Sequence, residues 1–280
     1  ACTFYRQDLF EAHTKDFEAE YGYRLEFNEN TTWKQVLDFA LFFKAMRESG
    51  ADVPYGYAQH QGSFAWTTQL DIQRMMFAHG RWIDFPIDDK LGSKQPGPTN
   101  WGDEQSVLML EKFKALGDAS HPDNLANGTL ELNTVYQSGN IAMQVQYHEF
   151  AASVENPETS VAAGGKTAYA PCPKGAAEWN LTDGPLVNGT NCGIGGIGIN
   201  ANASEDLQRA AYLFAIWSTS QQIQYDVLAG LGGTPTRKSV LERPDVKAAQ
   251  QRPTTMPNAL TFDAVYNHGI KDPHFVLGPK

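Results

Sequence analysis

Cysteine is scarce: Cys2, Cys172 and Cys192 are the only three in 280 residues. None stands at a metal-ligand spacing such as C-x-x-C, so a cysteine-built metal centre is excluded. Basic residues are outnumbered, 22 against 32 acidic, for a formal net charge of −10. That balance excludes a nucleic-acid or anionic-membrane surface and leaves neutral or weakly polar partners. No apolar run approaches the ~20 residues of a membrane span. Gly-x-Ser-x-Gly, Walker A and His-Glu-x-x-His signatures are all absent, as are internal repeats and low-complexity tracts. There is no signal-peptide pattern. The chain begins at Ala1 without a methionine, so the expectation is that processing or truncation has removed the true start.

What is present suffices for a large core. The hydrophobic set is 41% of the chain and aromatics 11%, and a chain of this length typically buries roughly three quarters of its surface. Asp8 to about Glu20 reads as a helix, followed by a second one capped at Thr31-Thr32. The second carries Trp33, Val36, Leu37, Ala40 and Leu41 on one face and stops at Gly50. Tyr55 to His60 reads as a short strand, and Ser63 caps a helix running to about His79. Helices are also expected over Asp103 to Leu116 and Leu130 to Gln137, and strands over Asn140 to Tyr147 and Thr167 to Ala170. Gly193 to Asn200 alternates isoleucine with small residues, a strand that lets backbone approach closely. Asn202 with Glu205 fits an N-cap pair for a helix whose buried face holds Leu207, Ala210, Ala211, Phe214 and Trp217. Strands alternating with helices give an α/β chain with a partly parallel sheet.

Candidate chemistry is sparse. The glycines from Gly193 to Gly198 lie inside the expected strand, not between strand and helix where a dinucleotide loop needs them. The pairs Asp88-Asp89 and Asp103-Glu104 read as solvated loop or first-turn residues. His60 and His148 each follow a strand, beside Gln61 and Glu149, and the carboxyl ends of strands are where open α/β sheets bind ligands. Each serves either as a hydrogen-bonding group or as a structural histidine. Metal ligation needs three or four converging groups, and none is evident; no cofactor is called for. Six Trp, eleven Tyr and fifteen Phe suit sugar rings, which stack on aromatic faces while polar side chains satisfy the hydroxyls. The competing reading is packing, which fits Trp33, Trp66 and Trp217. Cys172 and Cys192 stand 20 residues apart beside turn residues. They form either a bridge worth roughly 3 kcal/mol in the chain-entropy model or two small buried thiols.

Six segments in order resemble one family. They are Tyr5-Arg6-Gln7-Asp8-Leu9-Phe10, Thr32-Trp33-Lys34-Gln35-Val36, and Tyr136 through Met143 (Y-Q-S-G-N-I-A-M). Then come Tyr169 through Gly175 (Y-A-P-C-P-K-G), Gly195 through Ala201 leading into Ala210 to Ser220, and Gly232-Gly233-Thr234-Pro235-Thr236-Arg237. Together these resemble the extracellular solute-binding proteins of ABC sugar and polyol importers, in the maltose-binding-protein superfamily.

The resemblance implies a two-lobe, type II periplasmic-binding-protein fold of the α/β class, with an incomplete N-terminal lobe. Residues 1–190 would be mostly one lobe and 191–280 a return segment belonging to the other, with the hinge crossing near Asn191 to Ile194. The implied function is a receptor that hands a sugar, polyol or related small solute to ABC permease membrane subunits without chemistry. It would work in the periplasm or outside the cell, lipid-anchored or soluble, as a monomer with no nucleic-acid partner. The implied ligand residues are His60, Gln61, Ser63, Phe64, Tyr147, His148, Glu149, Gly195, Gly196 and Arg237. Tyr147 or Phe150 would give the stacking face, and Arg237 would either fork onto ligand hydroxyls or brace its turn. The family's G-P-W is absent, which points to a smaller, more hydroxylated solute than maltose. Family members usually run longer at both ends, so the chain is expected to be a fragment in which the Gly193–Asn200 strand lacks sheet neighbours. The competing classes are a carbohydrate-active hydrolase, which needs two carboxylates ~5–10 Å apart across a sugar cleft, and a structural module without a ligand.

Overall fold

The computed structural model describes residues 1–62, 70–81, 102–182, 185–190, 196–268 and 270–271. Its organising element is a strand that the helical reading of the first 49 residues overlooked. β1 (Cys2–Arg6) pairs antiparallel on one side with β3 (Ile141–Gln146) and on the other with β4 (Thr167–Ala170). β2 (Tyr55–Tyr57) adds to β3 in parallel, with Tyr57 opposite Met143, giving the order β2-β3-β1-β4. The sheet is therefore partly parallel, as the alternation of strands and helices suggested.

Helices cover both faces. α1 (Gln7–Tyr21) follows β1 directly and ends at Gly22, whose φ of 79° is the left-handed conformation glycine adopts without strain. α2 (Trp33–Glu48) begins with a capping box: Thr32 accepts from Gln35 N, and the Gln35 side chain returns a bond to Thr32 N. Two of the helix's orphan donors are thereby satisfied. α2 lies close on β2, since a Cβ on Gly56 would come within 2.6 Å of Ala40 Cα. α3 (Leu70–Ala78) and α4 (Glu104–Asp118, capped by Asp103) complete this side. On the other face α5 (Thr129–Gln137) and the short α6 (Ala151–Val154) pack near Phe4, Ile141, Leu132 and Tyr136. Expected Ser63, Phe64 and Trp66, and the expected hinge at 191–194, fall outside the described residues.

Most of the described aromatics near the N-terminus pack the core rather than line a cleft. Phe39 of α2 sits 5.5 Å from the Phe10 ring, 5.3 Å from Phe17 and 5.4 Å from Phe27, in edge-on geometries. Such pairs add roughly 0.5–1.5 kcal/mol beyond their buried area. Trp33 is fully buried in the same cluster, as its helix position indicated.

The return segment departs from expectation. Residues 196–200 form no strand and are exposed, because no described chain pairs with them. α7 (Glu205–Ser218) starts from Ser204, not Asn202, and Ser204 makes no side-chain cap bond. Its expected core face is bare: Leu207 is 63% exposed, Phe214 56% and Trp217 55%. α8 (Gln221–Leu231), α9 (Lys238–Leu241) and α10 (Pro244–Ala248) share a small separate core of Leu228, Val240, Val246 and Phe262. The chain then packs back on the sheet layer: Ala264 joins the cluster of Phe4 and Ile141, and Arg252 forks onto Glu155 at 2.6 Å for both bonds. Arg252 and Ala264 thus lie against the 1–190 part of the chain. Of the two cysteines read as either a bridge or two buried thiols, Cys172 is a buried free thiol and Cys192 lies outside the described residues.

Truncating the central ring of the aromatic cluster tests this packing. Phe39→Ala should destabilise the chain by about 3–5 kcal/mol, read as a drop in the urea midpoint at unchanged slope. A loss below 1 kcal/mol would contradict a central role for that ring.

Candidate functional site

Because β2 and β3 run parallel and in register, their carboxyl ends emerge at one edge of the sheet. The 58–62 segment follows β2 there, and the turn His148–Phe150 follows β3. His60 and Tyr147, two of the residues singled out from the sequence, both lie at this edge.

Between the two strand ends lies a buried polar cluster. His60, Asp71 and Arg74 have no side-chain exposure. Asp71 Oδ1 accepts from Arg74 Nη1 at 2.6 Å, and its Oδ2 accepts from His60 N at 3.0 Å and from Tyr57 Oη at 3.3 Å. His60 Nδ1 stands 3.2 Å from Asp71 Oδ1 and 3.3 Å from Arg74 Nη1, which also donates to Val145 O at 3.1 Å. Burial disfavours the Asp71 charge, but His60 and Arg74 outweigh it and hold the carboxyl below its usual range. Burial likewise opposes the Arg74 charge, and Asp71 restores it. His60 is pushed down by burial against the pull of Asp71, so the ring is neutral. The half-buried Tyr147 ring lies 5.7 Å from Arg74 Cζ and is the part of the cluster nearest the surface.

Several polar atoms here lack partners. Arg74 Nε and Nη2, and His60 Nε2, are buried without a hydrogen bond among the described residues. Sequence reasoning found His60 but missed Asp71 and Arg74. The available signal was an acid and a base three apart inside the otherwise apolar helix L-D-I-Q-R-M-M-F-A. Charges on a core-facing helix are tolerated only when paired.

The other expected residues divide. Gln61 donates to the Gln59 side chain, and its backbone N to Asn127 O at 3.2 Å. Glu149, with a side chain 52% exposed, stands beside His148. His148 does not face the Arg74 cluster: its Nε2 bonds Thr234 Oγ1 at 2.8 Å, joining the β3 edge to the Gly232–Thr234 turn. Asn258 reinforces that join, accepting from Ala152 N at 2.9 Å and donating to Gly232 O. Arg237 braces its turn, donating from Nε to Thr219 O while its backbone N donates to Gln224 Oε1 at 3.1 Å. Gly196 lies in the exposed 196–200 stretch, away from the edge in sequence and without described neighbours, and Gly195, Ser63 and Phe64 are outside the described residues.

Two measurements check this electrostatic reading. Asp71→Asn leaves Arg74 buried without its counter-charge and should cost about 3–5 kcal/mol by chemical denaturation; a neutral result would refute the pairing. Burial also lowers His79, and lowers His148 to about 3 from 6.5. A base whose folded pKa is depressed takes up its proton first in the unfolded chain. Stability is therefore complete above pH 6.5 and falls as acid is added, by up to about 1.4 kcal/mol per unit for each such histidine. The urea midpoint should drop steadily from pH 7 to pH 4, and a flat profile would overturn the assignment.

The fold is that of known binding proteins. Maltose-bound T. maritima MalE3 superposes with a TM-score of 0.66 at 18% identity, over 97% of this chain and 60% of that one. A ribitol complex of an ABC-transporter solute-binding protein from Agrobacterium radiobacter K84 gives 0.64 at 20% identity, over 88% of this chain and 53% of that one. The D-mannitol complex from Agrobacterium vitis S4 gives 0.63 at 20%, over 95% and 56%. The chain thus spans little more than half of these neighbours. A search of curated protein sequences returns no significant match. The sequence profile of the bacterial extracellular solute-binding proteins matches residues 1–254, and the chain belongs to that family.

Proposed function

We propose that this chain carries the ligand-binding edge of a receptor for a sugar, polyol or related small solute, which it delivers to the membrane subunits of an ABC importer without chemistry. The observation that carries the reading is the β2–β3 edge, where buried polar groups meet the half-buried Tyr147 at the carboxyl ends of two parallel strands. Small-solute sites combine an apolar or aromatic face with a few placed polar groups, and this edge supplies both. Membership of an extracellular family favours work in the periplasm or at the cell surface. Among the described residues no helix is long and apolar enough to cross a membrane.

The unpartnered α7 supports a second lobe. A helix apolar on several sides belongs inside a larger core, and the solved neighbours extend well beyond the part this chain matches. We place residues 196–218 in that second lobe, with closure around the ligand as the working motion.

Isothermal titration with maltose, ribitol, D-mannitol and glycerophosphocholine tests the reading; the last is the ligand of UgpB from Mycobacterium tuberculosis, a neighbour at TM-score 0.60. Saturable binding of at least one, with no product after prolonged incubation, is expected. Tyr147→Ala should weaken that binding by about 1–3 kcal/mol at an unchanged unfolding midpoint. Turnover of an oligosaccharide, or no binding to any of the four, would sink the receptor reading.

A further inference from the structure

Arginine carries five N–H donors in a planar fork, and the Nε/Nη2 edge presents two of them in parallel. This chain uses that edge twice on carboxylates. Arg6 donates from Nε and Nη2 to Asp8 at 2.7 Å each, and Arg243 does the same to Asp245 at 3.0 and 2.9 Å. Arg74 differs. Its Nη1 holds Asp71 and the Val145 carbonyl, while its Nε and Nη2 are buried and meet no acceptor among the described residues. Unmet donors on a buried cation are costly and rare, so this edge is suited to receive a pair of acceptors.

The charge of the cluster selects the acceptor. Asp71 already balances Arg74, and His60 is neutral. An added carboxylate or phosphate would therefore leave an uncompensated negative charge in a buried place, which is strongly unfavourable. A neutral pair of adjacent hydroxyls accepts two parallel N–H bonds without changing the charge. Hydroxyls also bring protons, and the buried Nε2 of His60, on the ring next to the guanidinium, is an unmet acceptor when Nδ1 carries the proton and donates to Asp71. A carboxylate has no proton to give there.

We propose that Arg74 is the specificity-determining residue of this site and takes a vicinal diol of a neutral sugar or polyol on its Nε/Nη2 edge, beside Tyr147. This rests on the receptor reading above and adds the ligand chemistry to it. Asp71 is the positioning residue that turns the free edge toward the ligand.

The test follows the Arg74 Nε–H resonance of the whole chain by 15N NMR during titration with D-mannitol, ribitol and D-gluconate, alongside calorimetry of wild type and Arg74→Lys. Lysine keeps the charge on Asp71 but loses the parallel donors. The expected result is a shift of the Nε–H signal with mannitol or ribitol, weak or absent binding of gluconate, and binding at least about tenfold weaker in Arg74→Lys. Mannitol binding with an unmoved Nε–H signal would overturn the Arg74 assignment, leave the receptor reading intact and mean that buried water alone meets those donors. Gluconate preferred, with the signal moving, would overturn the neutral diol. No binding of any of the three by wild type would overturn the proposal, and the receptor reading falls separately if the wider ligand panel also fails. If Arg74→Lys does not fold, the wild-type resonance still decides.

Discussion

A guanidinium buried in the core constrains everything around it, because a buried charge is tolerated only when its partners are fixed in place. Arg74 meets that condition through Asp71, one turn earlier on α3, and through the carbonyl of Val145 on β3. Asp71 in turn spends its second oxygen on the backbone of His60 and the hydroxyl of Tyr57, at the end of β2. One ion pair therefore ties α3 to both strands whose ends form the candidate site. Replacing such a pair by apolar groups often leaves stability unchanged or improved. Its value here lies in geometry: the strand ends cannot slide apart without leaving a charge alone in the core.

Around that pair the chain shows two regimes of packing. From β1 to β4 most of the described apolar side chains find partners, and aromatic rings interlock near Phe39 at about van der Waals spacing. From 196 to 218 they do not. The same residue types, Leu, Phe and Trp at helical spacing, occupy α7 and stand in solvent. Amphipathic periodicity identifies a helix and its apolar side, but the free energy of burial depends on an opposing surface that periodicity cannot specify.

This explains which parts of the fold were legible. Helices with local signals were readable to within a residue or two: Asp8 to about Glu20 for α1, the cap at Thr31-Thr32 and the stop at Gly50 for α2, and Asp103 to Leu116 for α4. β4 was readable because Pro171 bounds it. β1 was not, since five residues at the chain start have no period to measure and their strand state comes from pairing with β3 and β4, more than 130 residues away. The 193–200 segment shows the reverse error, a strand-like alternation whose sheet partners are not among the described residues. At the site, the position of His60 and Tyr147 followed from strand ends, a topological rule. Asp71 and Arg74 needed the three-dimensional accounting of which buried donors are met. His148 and Arg237 entered the ligand set through the family resemblance, each with a structural role as the alternative, and in the structure they bond Thr234 and Thr219 of the same chain.

The turn after β3 shows how one short stretch serves two purposes. Tyr147 approaches the Arg74 guanidinium, while His148, the next residue, binds Thr234 of the return segment. Consecutive side chains at a strand end point in different directions, so neighbours can belong to different contacts. Burial keeps the His148 ring neutral well below pH 6.5, and a neutral ring has one donor and one acceptor, enough for a single directed bond to the Thr234 hydroxyl. Asn258 meets the adjacent Gly232 from the opposite side while accepting from the backbone of Ala152, so the turn is clamped at two points two residues apart. Tyr147 and the turn that follows α8 are therefore separated by one peptide unit and one hydrogen bond.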